Sequence, residues 1–260
     1  MAELVHYEVE EGIATLTLDD PPVNGYSHEM MVALDGAILR ARFDDAVKVI
    51  VLTGAGDRFF CAGADINRLA RMSESFKYNF CLHANETLLR LEHTPKLVIA
   101  ALNGHTVGGG LEVALACDIR LARKDSGKIG LPEVALGVLP GTGGTQRLAR
   151  LLGKSKALEL MISGRTMNFD EALTLGLVHQ VLEGDFRGKV REYARGFCPP
   201  GKAPLAIGLI KRAVQTGAEI PLEAGLALER ELQARLFSSE DAKLGLSAYM
   251  VKKPPKFTGA

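Results

Sequence analysis

Leu97-Val98-Ile99-Ala100-Ala101-Leu102-Asn103-Gly104 is the stretch that decides the fold class. Six apolar residues run without interruption and stop at a turn pair, and a strand apolar at every position is buried on both faces. Such strands belong to parallel sheets covered by helices. Just upstream, Phe76, Phe80, Ala84, Leu88 and Leu91 recur at three- and four-residue steps, the buried stripe of a helix. The same pairing precedes it. Ser27 is an N-cap for a helix with Met31, Leu34, Ile38 and Ala41 on one face, and Val47 to Leu52 forms a strand ending at Thr53-Gly54. Earlier still, Ile13 to Leu18 alternates at period two and stops at Asp19-Asp20-Pro21-Pro22. Helices and strands alternate to about residue 125, so the fold class is α/β.

Downstream of Gly143 the pattern changes. Leu148, Leu151, Leu152, Leu158 and Met161 mark helices, Leu177 to Val181 is a short strand, and Cys198-Pro199-Pro200-Gly201 breaks the chain. The remainder reads as helical, from Pro204 to Val214 and from Pro221 to Phe237. The 260 residues therefore divide into a core over 1–200 and a helical, oligomerising region over 201–260. No fixed-period repeat is present.

Composition removes several classes of function. Lys and Arg number 31 against 31 Asp and Glu, so there is no surplus of positive charge to hold a nucleic-acid backbone. Cys61, Cys81, Cys117 and Cys198 fall in no metal or redox spacing and read as reduced, mostly buried thiols. The first residues carry acids where a signal peptide carries bases, and no apolar run is long enough for a membrane span. A cytoplasmic protein without membrane or nucleic-acid partners is expected.

Three glycine-rich turns, each placed after a strand in this reading, are the candidate chemistry: Cys61-Ala62-Gly63-Ala64-Asp65, Val107-Gly108-Gly109-Gly110-Leu111-Glu112 and Pro140-Gly141-Thr142-Gly143-Gly144-Thr145. The second opens into good helix formers, so its free N–H groups and the positive end of a helix face whatever binds, which suits an oxygen gaining charge. It lacks the spacing of either nucleotide-binding glycine motif. Glu112 in the first helical turn and Glu133 in Leu131-Pro132-Glu133-Val134 are read alone as a helix-start acid or a surface charge. Beside two donor turns they suggest a general acid/base pair.

Phe60-Cys61-Ala62-Gly63-Ala64-Asp65-Ile66, Asn103-Gly104 through Gly108-Gly109-Gly110-Leu111-Glu112, Cys117-Asp118-Ile119-Arg120, and Leu131-Pro132-Glu133 through Gly141-Thr142-Gly143-Gly144-Thr145-Gln146-Arg147 resemble, in order, the signatures of the enoyl-CoA hydratase/isomerase (crotonase) family. The resemblance covers the chain from about residue 5 to the end. It implies a crotonase-like spiral of ββα units with a helical C-terminal trimerisation region, assembled as a trimer or as a hexamer that is a dimer of trimers. It also implies an acyl-CoA substrate whose thioester oxygen is held by the N–H groups of Ala64 and Gly109, and Glu112 and Glu133 as the catalytic pair. No metal and no separate cofactor is implied, since coenzyme A is part of the substrate. Coenzyme A and substrate contacts fall on Ala62, Asp65, Ile66, Arg68, Tyr249 and Lys252, the last two reaching a neighbouring subunit. Met72, Phe76, Phe80 and Leu131 fall on the acyl pocket.

Two glutamates favour hydration, because water addition needs a base for the water and an acid for the α-carbon. Two carboxylates on one water titrate jointly, and the sequence does not say which is the base. Three departures stand out. Arg123 to Lys128 is about one residue longer than in typical family hydratases, Pro21-Pro22-Val23-Asn24 lacks a basic residue, and Asn67 replaces a common lysine. No histidine is given a catalytic role. Rival functions are double-bond isomerisation, a specialised branched-chain hydratase, and a non-catalytic scaffold or RNA-binding protein of the same fold.

Overall fold

The apolar runs form the centre of a six-stranded sheet. In chain order the elements of the first half are β1 (Val5–Glu10), β2 (Ile13–Leu18), α1 (His28–Phe43), β3 (Val49–Gly54), β4 (Phe59–Cys61), α2 (Ile66–Arg71), α3 (Glu74–His93), β5 (Leu97–Leu102), β6 (His105–Val107), α4 (Gly109–Leu115), β7 (Ile119–Arg123) and β8 (Ile129–Gly130). This computed structural model describes residues 3–64 and 66–259, with backbone alone for 66–68. A 3-10 turn at Glu133–Leu136 leads to α5 (Gly144–Leu152), α6 (Lys154–Ser163), α7 (Phe169–Thr174), β9 (Gln180–Leu182), α8 (Phe186–Arg195), α9 (Pro204–Gly217), α10 (Leu222–Phe237) and α11 (Glu240–Met250).

The large sheet has the order β1-β2-β3-β5-β7-β9, with β1 antiparallel to β2 and the other pairs parallel. Its two faces are both buried, and alternate residues serve each. Ile50, Leu52, Val98, Ala100 and Leu102 meet the stripes of α1 and α3. Val49, Val51, Leu97, Ile99 and Ala101 meet Phe186, Val190 and Ala194 of α8.

A second, three-stranded parallel sheet runs β4-β6-β8. Chain order explains it. The strands β3, β5 and β7 enter the large sheet in succession, and each is followed by a short strand that enters the small one, so the ββ pairs stack as a spiral. The C-terminal ends of β4, β6 and β8 therefore lie side by side.

The C-terminal helices are tied down by polar contacts. Lys211 Nζ on α9 donates to Leu91 O (3.3 Å) and Lys96 O (3.1 Å) and pairs with Asp118 at 2.9 Å. After α11 the tail returns, with Thr258 N–H and Gly259 N–H donating to Asp241 at 2.8 and 2.9 Å. No helix among the described residues is long and apolar enough to cross a membrane.

Several expectations shift. The acidic start of the chain contains β1, an edge strand whose outer residues are exposed, so its acids cost nothing. The strand expected at 177–181 is β9, while Leu177 and Val178 are buried in the preceding turn. The glycine turn at 140–145 follows the 3-10 turn and irregular chain, not a strand. Phe76 is 39 % exposed and lies off the buried stripe of α3, and Leu151 and Leu158 are exposed as well.

Candidate active site

Each short strand of the small sheet delivers one segment of the site. β4 ends in Ala62–Ala64, β6 ends in Gly108 and the start of α4, and β8 ends in Leu131-Pro132-Glu133. The approach of these segments is backbone-close, which is why glycine is required. A methyl on Gly110 would come within 2.0 Å of the Cys61 carbonyl oxygen, and one on Gly63 within 3.1 Å of the Gly109 nitrogen. Gly108 has φ +57, a conformation side chains disfavour, and its N–H donates to Gly130 O at 3.0 Å. Among the described residues neither the Ala64 N–H nor the Gly109 N–H has a hydrogen-bond partner, and Gly109 begins α4 without a side-chain cap. Two adjacent backbone donors are thus left for an acceptor.

Glu112 is 3 % exposed and is held by the third glycine turn. Its Oε1 accepts from Thr142 N–H at 2.7 Å and Gly144 N–H at 2.8 Å, and its Oε2 accepts from the Thr142 hydroxyl. Three donors aimed at one carboxylate suit its ionised form. The turn is clamped from behind, where Arg147 donates to Thr142 O at 3.2 Å and forms a two-point ion pair with Glu92.

Glu133 differs in every respect. Its Oε1 lies against Gly108, where a methyl would be 3.1 Å away, and its Oε2 is buried with no partner. Burial raises this carboxyl to about 7; its own backbone N–H lowers it somewhat and the Glu112 charge raises it further. In the Arg123–Lys128 segment Lys124 and Asp125 form an exposed turn, the latter with φ +53. Glu133 follows β8, and the pairing of β8 with β6 sets its position beside Gly108.

Tyr26 sits inside the site without any signal from spacing. Its N–H donates to Gly63 O at 2.8 Å, a methyl on Gly109 would come within 3.0 Å of its ring, and its buried hydroxyl lies beside Thr142 and the Glu112 carboxylate. Phe80 packs on it at 5.5 Å between ring centroids. Leu131 is buried beside Gly144 and hence beside Glu112. Met72 is half-buried at the end of α2, and Phe76 reaches this group only through His28, at 5.8 Å. Thr142 was visible only as part of a glycine turn, since its partner lies 30 residues away. Ala62 donates its N–H to Val23 O at 3.1 Å, which fixes the first turn. Asp65 lies outside the described residues, as do the side chains of Ile66, Asn67 and Arg68. Tyr249 and Lys252 are exposed on and after α11, and nothing within this chain brings them to the glutamates. Cys117-Asp118-Ile119-Arg120 is structural: buried Arg120 donates to Cys117 O at 2.8 Å and Leu177 O at 2.7 Å.

The chain matches the family model for enoyl-CoA hydratase/isomerase over residues 8–260. It is 37 % identical to a short-chain-enoyl-CoA hydratase of Clostridium acetobutylicum, covering 95 % of this chain and 94 % of the relative. It is 36 % identical to the 2,3-dehydroadipyl-CoA hydratase of Escherichia coli, covering 100 % of both. A solved enoyl-CoA hydratase structure from Geobacillus kaustophilus superposes with a TM-score of 0.96 at 47 % identity, covering 100 % of this chain and 98 % of that one. With two glutamates and two free backbone donors gathered at the ends of one small parallel sheet in that fold, this chain belongs to the enoyl-CoA hydratase/isomerase family.

Proposed function

We propose that this chain is a hydro-lyase that adds water syn across the double bond of a 2-enoyl-CoA, and runs the reverse dehydration. The observation that carries the reading is the contrast between its two carboxylates: Glu112 is pinned by three donors, and Glu133 is half-buried, unpaired at Oε2 and raised to about 7. A base must be ionised and an acid must hold a proton near neutrality, so Glu112 takes the proton from water and Glu133 supplies one to the α-carbon. As water attacks the β-carbon, the π electrons move onto the thioester oxygen. The Ala64 and Gly109 N–H groups stabilise that charge, which exists only on the way to product. Proton exchange between the carboxylates resets the pair.

No step needs a metal or a redox group, and coenzyme A enters with the substrate. Ala62, Asp65, Ile66 and Arg68 are the candidate coenzyme A contacts of the same chain, and Tyr249 and Lys252 of a neighbouring one. That second pair requires self-association, with residues 201–260 as the oligomerising region and a trimer or paired trimers as the assembly. The four free thiols support a reducing, cytoplasmic setting. The relatives' names carry different acyl groups, so they do not choose one for this chain.

The test is loss of enoyl-thioester absorbance with crotonyl-CoA, with product identified by mass. Wild type is expected to add water, and Glu112→Gln and Glu133→Gln each to lower kcat at least about 100-fold. An isomerase would instead retain most of its rate without Glu112 and give a product of unchanged mass.

A further inference from the structure

An ionised carboxylate offers four lone pairs, and among the described residues three of those on Glu112 are taken. Oε1 accepts twice, from the N–H groups of Thr142 and Gly144 at 2.7 and 2.8 Å, and Oε2 accepts once, from the Thr142 hydroxyl. Thr142 therefore holds both oxygens, one with its main chain and one with its side chain. A carboxylate gripped at three points does not turn about its last bond without breaking them. Its open lone pair, on Oε2, keeps one direction.

The hydroxyl on Oε2 has a neighbour of its own. A threonine hydroxyl carries one proton, and with that proton donated to Glu112 its oxygen can only accept. Tyr26 Oη is buried and makes no hydrogen bond among the described residues, and the Thr142 hydroxyl and the Glu112 carboxylate lie beside it. Burial raises the Tyr26 phenol well above its ordinary range, so it keeps its proton and is a donor. An unfilled donor is thus set against an acceptor with lone pairs to spare, and bonds of this kind stand loose in a free enzyme and close around substrate.

Tyr26 is fixed at its other points. Its N–H donates to Gly63 O at 2.8 Å, its ring covers Gly109, and Phe80 packs on that ring at 5.5 Å between centroids. The two turns that supply the thioester donors therefore hold the phenol in place. The hydroxyls form a series with one sense, Tyr26 to Thr142 to Glu112, in which each donation strengthens the next. The series ends on the oxygen with the open lone pair.

We propose that Thr142 and Tyr26 are positioning residues for the base: their hydroxyls, in series, hold Oε2 of Glu112 so that its remaining lone pair takes the proton from water. This rests on the hydratase reading with Glu112 as base, and it names the accepting oxygen and the groups that aim it. As the water O–H bond breaks, the proton passes to Oε2 and the oxygen bonds to the β-carbon. Thr142 and Tyr26 keep their own protons throughout.

Thr142→Val retains the backbone donor and the branched shape and removes only the hydroxyl. With crotonyl-CoA its kcat is expected to fall about 10- to 100-fold, while calorimetry shows little change in affinity for butyryl-CoA, a saturated thioester that cannot react. Thr142→Ser should recover most of the loss. Tyr26→Phe should lower kcat severalfold, and no further when combined with Thr142→Val. A Thr142→Val enzyme as fast as wild type overturns the proposal, as does Thr142→Ser as slow as Thr142→Val, or a Tyr26→Phe loss of the same size in both backgrounds. Should Thr142→Val fail to bind butyryl-CoA, Tyr26→Phe decides, and an unchanged kcat overturns the proposal. An infrared arm needs no turnover: the carboxylate stretch assigned to Glu112 by its absence from Glu112→Gln should move in Thr142→Val and, by less, in Tyr26→Phe. A band that moves in a protein that hydrates no enoyl thioester keeps the two hydroxyls on Glu112 and sinks the hydratase reading. Hydration unaltered in both variants, with the band in place, does the reverse.

Discussion

Burial raises the Glu133 carboxyl from the ordinary 4.5 to about 7, and the direction of that shift makes the fold itself sensitive to this one proton. Below about 4.5 the group is protonated whether the chain is folded or not. As pH rises from there, the unfolded chain releases the proton first, so the stability contributed by the neutral, buried group is lost as pH passes through about 7. Glu133→Gln has no proton to lose. Its melting temperature should match wild type closely near pH 4 and exceed it near pH 8, and a gap of equal size at both would refute burial as the cause. The two carboxylates were legible in the sequence only in combination, since Glu112 or Glu133 alone reads as a helix-start acid or a surface charge and only two donor turns beside them suggest a pair. Tyr26 was not, because a phenol in a loop has no periodicity and its partners come from three distant segments. Phe76 was misread for the opposite reason: it keeps the helical step of Phe80 but falls in the first turn of α3, before the buried stripe begins.

At the scale of elements, β2, β3 and β5 at the centre of the large sheet were readable, whereas β1, β7 and the whole small sheet were not. β3 and β5 are apolar over nearly their whole length and declare themselves, whereas β4, β6 and β8 have three, three and two residues and show no period at all. Yet the shorter strands place the chemistry, and their alignment depends on Gly110, where α4 touches the backbone of β4. Gly110→Ala has to push α4 off the small sheet, since the obstacle is a carbonyl and cannot rotate away. Expected are a marked fall in melting temperature and a loss of hydration of at least about 100-fold in whatever protein remains folded. Gly176→Ala is the comparison, with φ +78 but open space around it, and should cost only about 1–2 kcal/mol. Similar effects of the two changes on activity would show that backbone approach at Gly110 is not what holds the site together.

At the scale of the whole molecule, the C-terminal helices keep large apolar side chains in solvent: Leu222, Phe237, Leu246 and Met250 are exposed, and Tyr249 is 84 % exposed, as residues awaiting a partner surface are. Light scattering coupled to size exclusion should give a mass of three or six chains, and Phe237→Glu should shift it toward one; a wild-type monomer would remove Tyr249 and Lys252 from the coenzyme A site. The sequence showed helices here but not which faces are buried, because Leu and Ala on a helix read alike whether a neighbour or the same chain covers them. The stacking of the ββ pairs has one more consequence. On the proposed reading, the charge-stabilising pair is made of main chain from two strand ends, while the proton carriers are single side chains, Glu112 on α4 and Glu133 after β8. The cradle needs only small residues and a fixed backbone, so it survives when a carrier changes, and each carrier can be exchanged without dismantling the other. A family built this way can diverge into new reactions by respelling one carrier at a time.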